Sequence, residues 1–155
     1  MLPDTIHEHS YHSLPFCAGG VPVELGVSEG SGLRTTRLEL AQQAALASLP
    51  EGHLFDRKSI RISPAKLTKA ISALANADGG ELLIGIEDDG TWSGAASVEA
   101  FNGFLQAFEP LFPYGTEFDY EFFELVDGTF VMRVTVQKSR EVKFASDGRV
   151  CCTDR

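Results

Sequence analysis

The sequence has few cysteines, no long apolar run and a shortage of bases, and each lack excludes a class of protein. Three cysteines in 155 residues, two of them adjacent, are too few for a disulfide framework, which predicts a reducing, cytoplasmic location. No apolar run approaches the roughly 18 residues of a membrane-spanning helix. The first residues, MLPDTIHEHS, lack the basic and apolar regions of a secretory signal. We therefore expect neither secretion nor a membrane partner.

The charge balance is acidic, with one exception along the chain. Thirteen Lys and Arg against 22 Asp and Glu leave a formal net charge of −9, which argues against non-specific coating of nucleic acid by bulk charge. One segment contains five bases and no acid, namely Arg57, Lys58, Arg61, Lys66 and Lys69. This base-rich segment is either a solvated helix face or a local anion-binding patch.

The composition indicates one globular domain. Hydrophobic residues make up 43% and charged residues 23%, and a chain of this length can bury a core without disulfides. Residues 1–33 mix Pro, Gly and Ser without a sustained period, which predicts a poorly ordered leader. We expect the domain to occupy residues 34–155.

Local patterns predict the first half of the fold. An amphipathic helix is expected in TTRLELAQQAALASLP, followed by a short strand in HLFDRKSI. Ser63 and Pro64 predict the start of a second helix, because Ser caps a helix and Pro fits its first turn. Gly79 and Gly80 predict its end. The run ELLIGIED has the length and apolarity of a strand buried on both faces.

The second half is expected to be mainly β-structure. A helix is predicted from Ser97 to Glu109, and a hairpin from EFDYEFFELV and TFVMRVTVQ around an Asp-Gly turn. EVKFA and RVCC predict a last short pair of strands. The fold class is therefore α+β, a single compact domain with a small mixed sheet and two to three helices. The predicted core consists of Leu67, Ile71, Leu74, Leu82, Leu83, Ile84 and Ile86.

Acidic residues occur at two places where strands are expected to lie together. Asp56 and Lys58 are two apart on a predicted strand and so share a face, with Glu51 just before them. Asp88 and Asp89 follow the buried strand, where functional side chains of sheet proteins are often found. If the two strands are neighbours, these acids could bind Mg²⁺ or Mn²⁺ while the Lys meets a phosphate. The alternative is that the Asp pair forms only a turn and the other acids are solvated.

The region around these residues resembles a known family. FDRKSIRISPAKLTKAISALANADGGELLIGIEDDGTWSG is similar to the Schlafen AlbA-like domains, which have two acids and a Lys, then a helix ending in Asn and two glycines, then a strand followed by an acidic turn. The resemblance implies a compact α+β domain associated with nucleic acid in regulators and defence proteins. Some Schlafen relatives cleave RNA with three acids, which correspond here to Glu51, Asp56 and Asp88, with Lys58 beside them.

The sequence departs from that family pattern at three points. Asp56 stands where the nuclease branch has Glu, so its carboxylate reaches one methylene less. Arg57 replaces the usual Phe. The chain ends in Val150-Cys151-Cys152 and three further residues, where the family has an aromatic residue followed by Arg and Gly. These departures leave open whether a Mg²⁺- or Mn²⁺-dependent ribonuclease site is active or has become a binding site.

Two functions from different classes follow. The first is binding of RNA or single strands, in preference to duplex DNA, through the base-rich segment. The second is a protein-interaction or oligomerisation module of a regulatory or defence assembly, which the charge of −9 favours. Asn76 and its two glycines are expected to form a tight helix-to-strand turn, with direct ligand contact as the alternative.

Overall fold

Five strands and three α-helices make up the part of the chain that the structure describes, residues 34–115 and 117–151. The structure is a computed structural model. The elements in chain order are β1 Thr35–Arg37, α1 Leu40–Ala47, β2 Phe55–Lys58, α2 Pro64–Asn76, β3 Gly80–Ile84, α3 Asn102–Phe108, β4 Phe118–Glu124 and β5 Phe130–Val136. The predicted leader, residues 1–33, lies outside the described residues, so the division into leader and domain stays a prediction.

The strands form one mixed sheet in the order β1-β4-β5-β3-β2. The two outer pairs, β1 with β4 and β2 with β3, are parallel, whereas the central pairs are antiparallel. The β4–β5 hairpin follows the predicted Asp-Gly turn. This architecture confirms the predicted α+β class with a small mixed sheet.

Local signals account for both ends of α2. The Ser63 hydroxyl accepts a hydrogen bond from the Lys66 backbone N–H (3.4 Å), and Pro64 occupies the first turn. The helix ends at Asn76, after which the Gly79 N–H bonds to the Leu74 carbonyl (2.9 Å). Gly80 has a φ of +149°, and a Cβ there would lie 2.5 Å from the Leu54 carbonyl oxygen. The two glycines therefore allow α2 to turn directly into β3.

The strand β3 is buried on both faces, as its continuous apolar run predicts. Leu82 and Ile84 pack into the larger core cluster with α2 and α3, and Leu83 packs into a smaller cluster on the opposite face with Phe123 and Val131. All seven residues of the predicted core are at most 2% exposed. Each such side chain contributes about 1.5–3 kcal/mol by burial. The core prediction is confirmed, with Leu83 and Ile86 on the face away from α2.

Three element predictions need correction. Thr35–Arg37 is a strand, because it pairs in parallel with β4, and the first helix begins only at Leu40. The predicted helix from Ser97 starts as a 3₁₀ turn, Val98–Phe101, before α3. Up to Cys151, where the described residues end, EVKFA and RVC form a single bridge between Phe144 and Val150 and not a pair of strands.

Candidate nucleic-acid interface

The edge strand β2 places its polar side chains on two different faces of the sheet. In the parallel register Asp56 lies beside Leu82 and Lys58 beside Ile84, which are core residues of the α2 face. Arg57 lies beside Leu83, on the face that α1 covers. Successive residues of a strand point to opposite faces. The predicted site residues are therefore divided by the sheet.

Asp56 and Lys58 share a face, as their spacing predicts, and form an ion pair. The Lys58 ammonium lies 2.7 Å from one Asp56 carboxylate oxygen and 2.9 Å from the other. The two side chains are 31% and 29% exposed. The Arg57 backbone N–H also donates to the same carboxylate (2.9 Å). A phosphate that used Lys58 would have to compete with Asp56 for it.

Arg57 fastens α1 to β2. Its side chain is 11% exposed, its guanidinium donates to the carbonyl of Ala47 at the end of α1, and its Nε lies 3.4 Å from a Glu51 oxygen. A cation bonded to the last carbonyls of a helix is a favourable arrangement. This placement favours a structural role for Arg57, with the more exposed Glu51 as its ion-pair partner.

The third predicted acid, Asp88, lies exposed in the turn after β3. Its neighbour Asp89 accepts the Thr91 backbone N–H (2.8 Å), and the backbone and hydroxyl of Thr91 lower the pKa of Asp89. Such a bond is typical of an Asx turn. The turn interpretation of this acidic pair is therefore supported by a contact in the structure.

Glu87, which sequence reasoning did not select, joins the ends of β2 and β3. Its carboxylate accepts the Ser59 hydroxyl (2.9 Å) and lies 3.4 Å from the Arg61 guanidinium. The hydroxyls of Ser93 and Ser59 and the charge of Arg61 lower the pKa of Glu87. The only signal in the sequence was its place directly after the buried strand.

The three acids do not fit a shared metal ion in this arrangement. Asp56 is paired with Lys58, Glu51 is paired with Arg57 on the other side of β2, and Asp88 is exposed beyond β3. Within residues 34–115 and 117–151, no group of three His, Cys, Asp or Glu side chains is placed to hold a metal ion. We derive no metal-dependent step, and the three-acid site stays a prediction.

The remaining bases of the base-rich segment lie after β2 and on α2. The Arg61 side chain is largely exposed beside Glu87. Lys66 and Lys69 are three apart on α2, so they are neighbours on one helix face. Lys66 is exposed, and the Lys69 ammonium lies 2.8 Å from Asp147.

The C-terminal segment, residues 139–151, packs against α2 through a polar stripe that the sequence analysis missed. The stripe consists of Thr68, Ser72 and Asn76, spaced four apart on the helix. The Ser72 hydroxyl donates to the Lys143 carbonyl (2.8 Å). The Asn76 side chain accepts the Lys143 N–H (2.7 Å) and donates to the carbonyls of Lys143 (2.9 Å) and Cys151 (3.0 Å). Asn76 therefore holds the C-terminal segment on α2, in addition to its predicted role in the turn.

This packing brings further bases beside the α2 lysines. Asp147 pairs with Lys69 and lies 3.9 Å from the Arg149 Nε, and the hydrogen bond from Lys69 lowers the pKa of Asp147. We call Lys66, Lys69 and Arg149 the basic face. A single acid, Asp147, lies between two of its three bases, in a chain whose charge is −9.

Comparisons with known proteins agree with the fold. The sequence model of the family described as Schlafen, AlbA_2 matches residues 51–152. No curated protein matches the sequence. Among solved structures, the DIP2311 protein from Corynebacterium diphtheriae is similar with a TM-score of 0.50 and 19% identity, over 70% of this chain and 23% of that one. At this identity the likeness shows the fold alone, and the chain spans less than a quarter of that protein's length.

No helix within the described residues is long and apolar enough to cross a membrane.

The family match covers more than half of the 155 residues and includes β2, α2, β3, α3 and the β4–β5 hairpin. The chain therefore belongs to the Schlafen AlbA_2 family.

Proposed function

We propose that this chain is a nucleic-acid-binding domain that takes RNA or other single strands on the basic face. Membership of a family related to nucleic acid supports this function. The observation that carries it is the juxtaposition of Lys66, Lys69 and Arg149, which α2 and the C-terminal segment bring to one surface of an acidic chain. Cations grouped in this way are the usual partners of backbone phosphates.

The number of bases sets the expected strength and salt dependence of binding. Three phosphate contacts on a single strand predict that the logarithm of the binding constant falls with the logarithm of salt concentration with a slope of about −2. The acidic remainder of the chain repels a polyanion at long range. We therefore expect moderate binding that is measurable at low salt and largely lost at high salt.

A binding titration with a charge reversal tests this proposal. The probe is a fluorescein-labelled 12-nucleotide RNA in low salt, and the readout is fluorescence anisotropy. We expect Lys66→Glu to weaken binding and to reduce the salt slope by about 0.7, the loss of one phosphate contact. Arg37→Glu is the matched control, because it makes the same charge change at an exposed position on β1, at the far edge of the sheet.

The outcome distinguishes binding to the local group of bases from an effect of the protein's net charge. Equal weakening by both substitutions would mean that only net charge matters, and would contradict the basic face. No binding by the unaltered protein to RNA or DNA in low salt would refute the function itself.

The proposal is for binding and does not include cleavage. The pairing of Asp56 with Lys58, and of Glu51 with Arg57, supports a site that has lost its three-acid arrangement. In an assay with Mn²⁺ and a structured RNA, we expect the unaltered protein to show no cleavage activity that the Asp88→Asn substitution removes. Cleavage by the unaltered protein, lost on Asp88→Asn, would instead establish a nuclease.

One observation favours a second function, a protein-interaction module. Leu40 and Val126 are exposed apolar residues that line a shallow cavity of about 470 Å³ between the start of α1 and the β4–β5 turn. Exposed apolar patches often mark protein contacts. Size-exclusion chromatography with light scattering tests it, because a dimer that Leu40→Glu dissociates would support this module.

A further inference from the structure

The C-terminal segment exposes three apolar side chains next to the basic face. Val142, Phe144 and Val150 are 60%, 52% and 48% exposed. Burial alternates along the chain here, because Lys143 points inward to an ion pair with Glu117 (2.6 Å) and Ala145 is buried. An alternation of this kind is typical of an extended segment with one face on the protein.

These side chains project from a segment whose backbone is held in place. Asn76 bonds to both backbone groups of Lys143 and to the Cys151 carbonyl, and the Thr68 hydroxyl accepts the Ser146 N–H (3.1 Å). A ring presented by an ordered backbone loses little conformational entropy when it binds a ligand. The exposure of Phe144 is therefore a property of a fixed platform.

The aromatic ring belongs to a segment that also carries a base of the basic face, Arg149. Phe144 and Val150 are opposite residues of an antiparallel bridge, which brings their Cβ atoms to about 5 Å. Arg149 precedes Val150 and reaches Asp147, which Lys69 also contacts. An exposed ring and basic side chains on one surface are the usual composition of single-strand binding surfaces, where nucleobases stack on the ring and phosphates meet Lys and Arg.

Charge selects the occupant of this platform. The basic face and the C-terminal segment, without Lys143 that is paired with Glu117, together contain four bases (Lys66, Lys69, Arg140, Arg149) and two acids (Glu141, Asp147), a charge of +2. The rest of the chain has nine bases and 20 acids, a charge of −11. A symmetric dimer through this surface would place two basic faces against each other, which like-charge repulsion opposes. A polyanion, in contrast, is attracted to this surface.

We propose that Phe144 is a stacking platform for one base of a single-stranded nucleic acid whose neighbouring phosphates lie on the basic face. The inference rests on the proposed function and names its substrate class. Single strands are selected over duplexes because a duplex keeps the faces of its bases stacked on each other. The ring serves RNA and DNA alike, since stacking uses the base and not the sugar.

The test compares a substitution that removes the aromatic ring of Phe144 with one that keeps an aromatic ring. The probes are labelled 12-nucleotide oligo(U) and oligo(dT), and a blunt DNA duplex of the same length. We expect Phe144→Leu, which keeps an apolar side chain, to weaken single-strand binding about 5- to 150-fold, the loss that removal of one base–aromatic stack produces. Phe144→Trp should retain binding. The matched control is Tyr114→Leu, because Tyr114 is equally exposed at 52% and its ring packs beside Phe118 and Tyr120, outside the C-terminal segment.

Each result bears on the proposal in one direction. Full single-strand binding by Phe144→Leu, with binding lost in Lys66→Glu, would overturn stacking while leaving the proposed function intact. Binding of the duplex as tightly as oligo(U) would also overturn it. No binding of any probe by the unaltered protein would overturn both. A dimer seen by light scattering that Phe144→Leu dissociates would assign the platform to a protein contact instead.

Discussion

Replacement of Asn76 by Ala should loosen the C-terminal segment and lower the stability of the whole domain. The side chain makes three hydrogen bonds to backbone groups of that segment, one from the Lys143 N–H and one each to the carbonyls of Lys143 and Cys151. These groups are part-buried, so the substitution leaves the Lys143 N–H and the Cys151 carbonyl without this partner in a site of reduced access to water, while the Lys143 carbonyl keeps the Ser72 hydroxyl. The loss of three bonds is therefore larger than that of an exposed contact.

The expected magnitude follows from those three bonds. At about 0.5–1.5 kcal/mol each, their loss costs roughly 1.5–4.5 kcal/mol of unfolding free energy. Ala is the better helix former by about 0.5 kcal/mol, which offsets a small part. The net expectation is a destabilisation of about 1–4 kcal/mol.

Urea unfolding followed by the fluorescence of Trp92, the only Trp of the chain, measures this change. The control is Asn102→Ala, at the chain's other Asn, which is exposed at the start of α3. Hydrogen exchange of the Lys143 amide gives a local readout, and we expect it to accelerate in Asn76→Ala, because this amide donates to the Asn76 side chain. Asn76→Asp should restore stability only at acidic pH, where the carboxyl carries a proton and can donate again.

A change in unfolding free energy of less than about 0.5 kcal/mol in Asn76→Ala would refute this reasoning. So would an unchanged exchange rate of the Lys143 amide. Either result would mean that the C-terminal segment is held by other contacts.

Three further predictions concern the sheet and its edge. Gly80→Ala should destabilise the domain by at least about 1–3 kcal/mol in urea unfolding, since it forces a strained φ and a clash with backbone, whereas Gly103→Ala in α3, which has open space, should stabilise it by up to about 1 kcal/mol. Ile84→Asp should abolish cooperative thermal unfolding because it buries a charge, while the exposed Val126→Asp should melt like the unaltered protein. The fold lowers the pKa of Glu87 below its ordinary 4.5, so its contribution to stability is full above pH 4.5 and is lost as the pH falls through the lowered value. Glu87→Gln should therefore flatten the acid limb of stability measured by urea titrations at stepwise lower pH, and an unchanged acid limb would contradict this.

The parts of the fold that were predicted correctly have local causes. Ser63 and Pro64 begin α2, the two glycines end it, and the apolar run of β3 marks a strand buried on both faces. The strand β1 was missed because three residues carry little propensity, and its pairing depends on β4, far along the chain. The last pair of strands was wrong beyond its one bridge in the described residues, because the Lys143 backbone bonds to side chains of α2, which no local pattern shows.

The candidate site was predictable only in part for the same reason. The shared face of Asp56 and Lys58 follows from the two-residue period of a strand. The burial of Arg57 depends on where α1 ends, and the contact of Glu87 with Ser59 depends on the parallel register of β2 and β3. The basic face combines α2 with a segment that only tertiary packing brings to it.

The most direct test of the central claim is a map of the bound surface. Nitrogen-15 NMR spectra of the labelled protein are recorded in low salt while unlabelled 12-nucleotide oligo(U) is added, and the backbone amide shifts are followed by residue. We predict that the largest changes fall on Lys66, Lys69, Phe144 and Arg149, and that the amides of β1 and α1 do not move. Changes confined to β1, α1 and the β4–β5 turn, or no change at any amide, would contradict the account.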